Sequence, residues 1–114
     1  MANIVIDSMM EQALIEARRY EKSAGCIEGK YFGAISSFGT SIVGSGIRST
    51  LLFYGAKGDK FTNFESSILN ILNAYLVNEP VENLYFYENN KLTLNAVIAL
   101  KLAIRTYDKI EQGD

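Results

Sequence analysis

The chain has no histidine and no tryptophan, and only one cysteine and one proline among its 114 residues. Without histidine, zinc sites built on imidazole, Ser-His-Asp triads and Cys-His pairs are excluded. The commonest acid–base side chain is missing as well, and the carboxylates mostly lie within a helical turn of a base or near helix starts. No enzyme, cofactor or metal site is therefore expected. Cys26 cannot close an internal disulfide, and no Asn-x-Ser/Thr acceptor occurs, so the expected home is a reducing cytoplasm. Apolar runs are cut by Asn, Lys or Tyr well short of a membrane span, and no transmembrane helix is expected. The opening MANIVIDSMME has neither the cationic nor the long apolar region of a secretory leader. A last absence is local: residues 61–90 hold Glu65, Glu79, Glu82 and Glu88 but no Lys or Arg.

What is present describes one globular domain. Forty-eight per cent of residues are hydrophobic, and the length suits one core rather than two. The net charge of −2 is not that of a generic nucleic-acid binder. Residues 91–109 nevertheless hold Lys91, Lys101, Arg105 and Lys109 against Asp108 alone, leaving room for a local positive patch.

Apolar spacing predicts an all-α, compact single-domain bundle of about five or six helices. The first starts at Ser8, where Ser8-x-x-Glu11 has capping-box form, and runs to Gly25. Met9, Met10, Ala13, Leu14, Ala17, Tyr20 and Ala24 form its inward stripe. The second covers residues 30–43, with Tyr31, Ala34, Ile35, Phe38 and Ile42 inward. Gly33 and Gly39 each cost about 1 kcal/mol in a helix interior, so a kink or break is expected near Gly39. Residues 39–58 are the organising stretch: Gly44-Ser45-Gly46 turns the chain, Ser45 caps a central helix over residues 45–57, and Gly58 ends it. Thr62-x-x-Glu65 opens a fourth helix with Phe64, Ile68, Ile71, Leu72, Tyr75 and Leu76 inward and Ser66, Ser67, Asn70 and Asn73 outward. Pro80 breaks that helix and starts a short one over residues 81–87. Residues 91–110 form the last, deep helix. Apart from residues 3–6, no stretch has a β pattern.

The local chemistry is sparse. Gly44-x-Gly46 lacks the Lys-Ser/Thr ending and the preceding strand of a phosphate loop, and reads as a turn. Lys101, Arg105 and Lys109, four residues apart, share one stripe of the last helix, and Arg18 and Lys22 repeat the spacing on the first. Such stripes are either solvated faces or phosphate contacts. Lys57 suits the carbonyl-rich end of its helix, while Arg48 has no such explanation. Leu84-Tyr85-Phe86-Tyr87 is rich in rings that would stack on bases. With no cation in residues 61–90, core filling or a subunit interface is the preferred reading. Cys26, with no base nearer in sequence than Lys22, reads as a passive small residue.

Several soft motifs in a fixed order resemble a family signature. Lys30-Tyr31, Ile42, Ser45-Gly46-Ile47, Leu51-Leu52-Phe53 and Lys57-Gly58 are similar to a Lys/Glu-Tyr helix that leads through an Asn-Gly-Leu turn into an Ala-Leu-Ala-Phe helix ending in Lys. Thr93-Leu94-Asn95-Ala96 is similar to the family's Thr-x-Glu-Ala, and Ile104-Arg105-Thr106-Tyr107 to its closing Leu-Lys-Arg-Phe. The family is the small helical subunit of the type III-B CRISPR RNA-targeting complex, the Cmr complex, and the likeness covers about residues 8–111. Asn89-Asn90 stands where the family has Tyr-Arg, and Arg105-Thr106 where it has Lys-Arg.

The resemblance implies a non-catalytic subunit that stacks in several copies along crRNA and target RNA. Its other partners would be the remaining effector subunits, above all the backbone subunit that carries the ribonuclease activity; no membrane is implied. The RNA-binding candidates are Arg18, Lys22, Arg48, Lys57, Lys101 and Arg105. Two alternatives stay open. One is the analogous small subunit of the type III-A (Csm) complex. The other is a helical protein–protein adaptor without nucleic acid, docking through its acidic residues 61–90.

Overall fold

Asn3, not Ser8, starts the first helix. Its side-chain oxygen accepts from the amides of Val5 and Ile6 at 3.0 and 3.1 Å and so caps α1 (Ile4–Ala17). Ser8 lies inside that helix with its hydroxyl donating to the Ile4 carbonyl at 2.8 Å, so the expected capping box is not formed. The apolar residues 4–6 are helical, not extended, and Val5 and Ile6 pack against the core. The computed structural model describes residues 3–58, 61 and 63–110. Thr62, on which the other capping box rests, lies outside them.

The all-α expectation is corrected at both ends of the chain. α1 stops at Ala17, and after a 3-10 turn (Arg18–Tyr20) the backbone forms an antiparallel hairpin. Its strands are β1 (Glu21–Ser23) and β2 (Cys26–Glu28), joined at Gly25 with φ 77°. The Gly25 amide donates to Glu21 Oε2 at 2.6 Å, so this glycine turns a hairpin where a helix end was expected. Beyond the last helix, β3 (Asp108–Ile110) pairs parallel to β2, with Cys26 opposite Asp108 and Glu28 opposite Ile110. The fold is thus mostly α with a small three-stranded sheet, order β1-β2-β3. Strands of three residues are too short for the two-residue alternation that marks a strand in sequence.

Between β2 and the helix that follows, α2 (Gly29–Ser45) runs without the break expected at Gly39. Gly39 sits where α5 comes close: a Cβ there would lie 3.4 Å from Val97 Cγ1. The turn comes at Gly46, whose φ of 94° favours glycine, and Ser45 is the last residue of α2 rather than a cap. α3 (Ile47–Lys57) buries Ile47, Thr50, Leu51 and Tyr54 and ends at Gly58, φ 72°, as expected.

α4 (Asn63–Tyr75) buries Phe64, Ile68, Ile71 and Leu72 as the spacing predicts. Its Ser/Asn stripe is not a solvent face. The Ser67 hydroxyl is buried 2.9 Å from Tyr20 Oη. Asn70 donates to Glu16 at 3.3 Å, and Asn73 exchanges two hydrogen bonds with the Val81 backbone. The expected helix over residues 81–87 reduces to a 3-10 turn at Leu84–Phe86. α5 (Asn90–Ile104), capped by Asn89, ends six residues earlier than expected, before β3.

α5 is the central element, packed against α1, α2 and α4. α1 and α5 both run into the sheet, and α2 leads away from it. That defines a sheet end and a far end of the bundle. Between the layers sits an aromatic cluster of Tyr20, Tyr31, Phe38, Tyr54, Phe61 and Phe64, with neighbouring ring centres 5.1–6.3 Å apart. The Cα radius of gyration, 13.5 Å, matches the roughly 13 Å of a compact domain of this length. Among the described residues, no helix is long and apolar enough to cross a membrane.

Candidate functional site

The expected stripe of Lys101, Arg105 and Lys109 does not form, because α5 ends at Ile104 and Lys109 lies on β3. Lys101 is half-buried and lines a groove between α2 and α5 with Val43, Val97 and Ile98. Arg105 follows the last turn of α5 and is exposed, as is Arg18 at the end of α1. Lys22 on β1 reaches across the hairpin to Glu28, 3.8 Å away. Lys57 covers the Phe53 ring at 4.8 Å and lies 5.8 Å from the Tyr54 and Phe61 rings. Since Phe61 stacks on Tyr31, in the first turn of α2, Lys57 also belongs to the sheet end.

Five of the six predicted cations are therefore on the half of the bundle nearer the sheet, and they differ in what they offer an anion. Arg18 and Arg105 project into solvent. Lys22 is already compensated by Glu28. Lys57 and Lys101 lie along apolar surface with their stems.

Arg48 stands apart. The 17 residues of α2 carry the chain about 25 Å from the sheet before α3 begins. There Arg48 Nε donates to the Tyr85 carbonyl at 3.0 Å. Its guanidinium lies 5.5 and 5.7 Å from the Tyr85 and Phe86 ring centres. A cleft of about 430 Å³ opens beside it, lined by Ser49, Tyr85, Tyr87, Glu88 and Asn90 among others. Sequence reasoning set the rings of residues 84–87 aside because no cation lies in residues 61–90. Folding supplies one from 37 residues away, a contact that local spacing does not encode.

A second polar cluster is only partly legible in sequence, where Glu16 and Arg19 lie three residues apart but their partners on α4 do not show. Glu16 is buried on the α1–α4 seam, 3.0 Å from Arg19 Nε, and also accepts from Gln12 and Asn70. Arg19 Nη1 donates to the Ser66 hydroxyl at 2.8 Å. Nearby, burial pushes the Tyr20 hydroxyl well above its ordinary pKa of 10.0, against the opposing effect of its bond to Ser67. These groups knit the end of α1 to α4.

Among the described residues, no three His, Cys, Asp or Glu side chains are grouped to hold a metal. Cys26 is half-buried in β2. No family model matches the chain, and neither a curated protein nor a solved structure matches it.

Proposed function

We propose that the chain is a non-catalytic small subunit of a type III-B CRISPR (Cmr) effector complex, cytoplasmic, and active in antiviral defence. It stacks with copies of itself and with the backbone subunit along crRNA and target RNA. One observation carries the reading. The two stretches in which the family likeness lies, residues 30–58 and 93–107, pack on each other through α2 and α5. The turn between α2 and α3 falls on Gly46, the glycine that the signature requires. Of the residues that match its apolar positions, Tyr31, Ile42, Ile47 and Leu51 are buried, as are Thr93, Ala96 and Ile104, while Leu52 and Phe53 are exposed. Most of the likeness therefore follows a packed unit, with Leu52 and Phe53 on its surface.

The adaptor reading is favoured by a different observation. Val43, Leu52, Phe53 and Phe86 are large and exposed, at 73, 64, 57 and 66 %. Several bases, meanwhile, are engaged by neighbours in the same chain. One experiment separates the two. The tagged chain is co-expressed with the other Cmr subunits and crRNA, and the purified complex is cross-linked to RNA. The proposal expects co-elution in several copies and a cross-link to RNA. Entry without a cross-link supports the adaptor, and failure to enter overturns the Cmr reading.

A further inference from the structure

The geometry points to a site for a single nucleotide unit in the far-end cleft, with its phosphate on Arg48 and its base against Tyr87. This deepens the proposed function by giving the far end of the bundle a ligand of its own, and it rests on that reading only where the nucleotide belongs to an RNA strand.

The argument begins with how Arg48 is held. Nε is spent on the Tyr85 carbonyl, and the guanidinium plane is steadied over two rings. The terminal nitrogens, the fork that binds phosphate with two parallel hydrogen bonds, have no carboxylate partner among the described residues. An exposed arginine with free rotamers loses entropy when it takes an anion, whereas one already fixed loses less.

The second element is the ring. Tyr85 and Phe86 meet edge to face, with ring centres 5.2 Å apart, and both lie beside Arg48. Tyr87 packs against the core on one side and lines the cleft with the part of its side chain that stays exposed, the part a base would meet. The cleft volume, about 430 Å³, falls within the roughly 300–1,000 Å³ of small-molecule sites.

The third element sets the preference. Glu88 lines the same cleft, so Arg48 and Glu88 together leave it without net charge. That balance suits one phosphate rather than a di- or triphosphate. A carboxylate only accepts hydrogen bonds, and it pairs with bases that present donors. Guanine offers N1–H and the N2 amine side by side, while uracil has no amine. Guanine is the expected base and uracil the poor one.

The test uses the isolated full chain, with GMP, UMP and a short 5′-phosphorylated guanine-containing RNA as probes. Binding is read by calorimetry and by amide shifts in residues 45–49 and 85–90. GMP is expected to bind and to shift those amides, with UMP about tenfold weaker. Arg48→Gln should lower GMP affinity by about tenfold or more, with unchanged circular dichroism. Glu88→Gln should remove the preference for GMP over UMP without loss of the fold. If the RNA binds more tightly than GMP and displaces it, the occupant is an RNA nucleotide. If it binds no more tightly, the occupant is a free nucleotide. Both outcomes support the site. No GMP binding at millimolar concentration, or binding that neither variant alters, overturns it. Entry into the effector complex is measured separately, so failure of the cleft and failure of the Cmr reading give different results.

Discussion

Arg19 and Tyr20, neighbours in the 3-10 turn after α1, tie that end of the helix to α4 by different means, and their substitutions should behave differently. Tyr20→Phe removes the hydroxyl that satisfies buried Ser67 and should cost about 1–2 kcal/mol. Thermal unfolding would read this as a fall of about 4 °C per kcal/mol. The same hydroxyl makes stability depend on alkaline pH. Burial keeps Tyr20 protonated above the value near 10.0 at which an unfolded tyrosine titrates. Its contribution is intact below that pH and is lost as the pH climbs past it, because the unfolded chain then gives up a proton that the folded one retains. Denaturant melts in that range should show a shallower pH slope for Tyr20→Phe than for the wild type. Arg19→Met leaves the Glu16 carboxylate buried with amide partners only, at a cost of about 2–3 kcal/mol. Glu16→Gln should cost less, since Arg19 is 39 % exposed and can turn to water.

Among the elements, the α2–α3 joint is the sharpest test of backbone geometry. Gly46→Ala forces a β-carbon into a positive-φ conformation and should destabilise by about 1–2 kcal/mol. Gly44→Ala, two residues earlier in α2 and facing open space, should stabilise by up to about 1 kcal/mol. Equal effects in denaturant melts would contradict this account of the turn. The helices were legible where apolar spacing is long and regular: Phe64, Ile68, Ile71 and Leu72 on α4, and Tyr31, Ile35, Phe38 and Ile42 on α2. Their ends were less so. Asn3 caps α1 in place of Ser8, and Gly39 stays helical inside α2, beside Val97 of α5. The Ser/Asn stripe of α4 is polar yet not solvent-facing, because its partners are Glu16, Arg19 and Tyr20, far away in sequence on α1 and the turn after it, and the Val81 backbone. The Arg48 cleft was hidden for the same reason: each half was visible, but not their meeting.

For the whole molecule, the charge arrangement sets what to expect of RNA. With a net charge of −2, the free chain should bind RNA weakly at physiological salt. On the proposed reading, in which the chain joins an RNA-bound effector complex, Arg105→Gln should reduce the salt slope of RNA binding by about one unit. Lys22→Gln should change it little, because Glu28 already occupies that charge. A final consequence concerns the order in which the chain can fold. The β1–β2 hairpin needs only residues 21–28 and can close within microseconds of leaving the ribosome. Its parallel partner β3 is separated from it by roughly 80 residues and all of α2 to α5, so that ladder is among the last contacts available. Until it forms, the fully buried Ile27 lacks its β3 neighbour, and the hairpin edge stands open to other chains. The vulnerable interval for this protein therefore lies after the helices can pair and before residues 108–110 join the sheet.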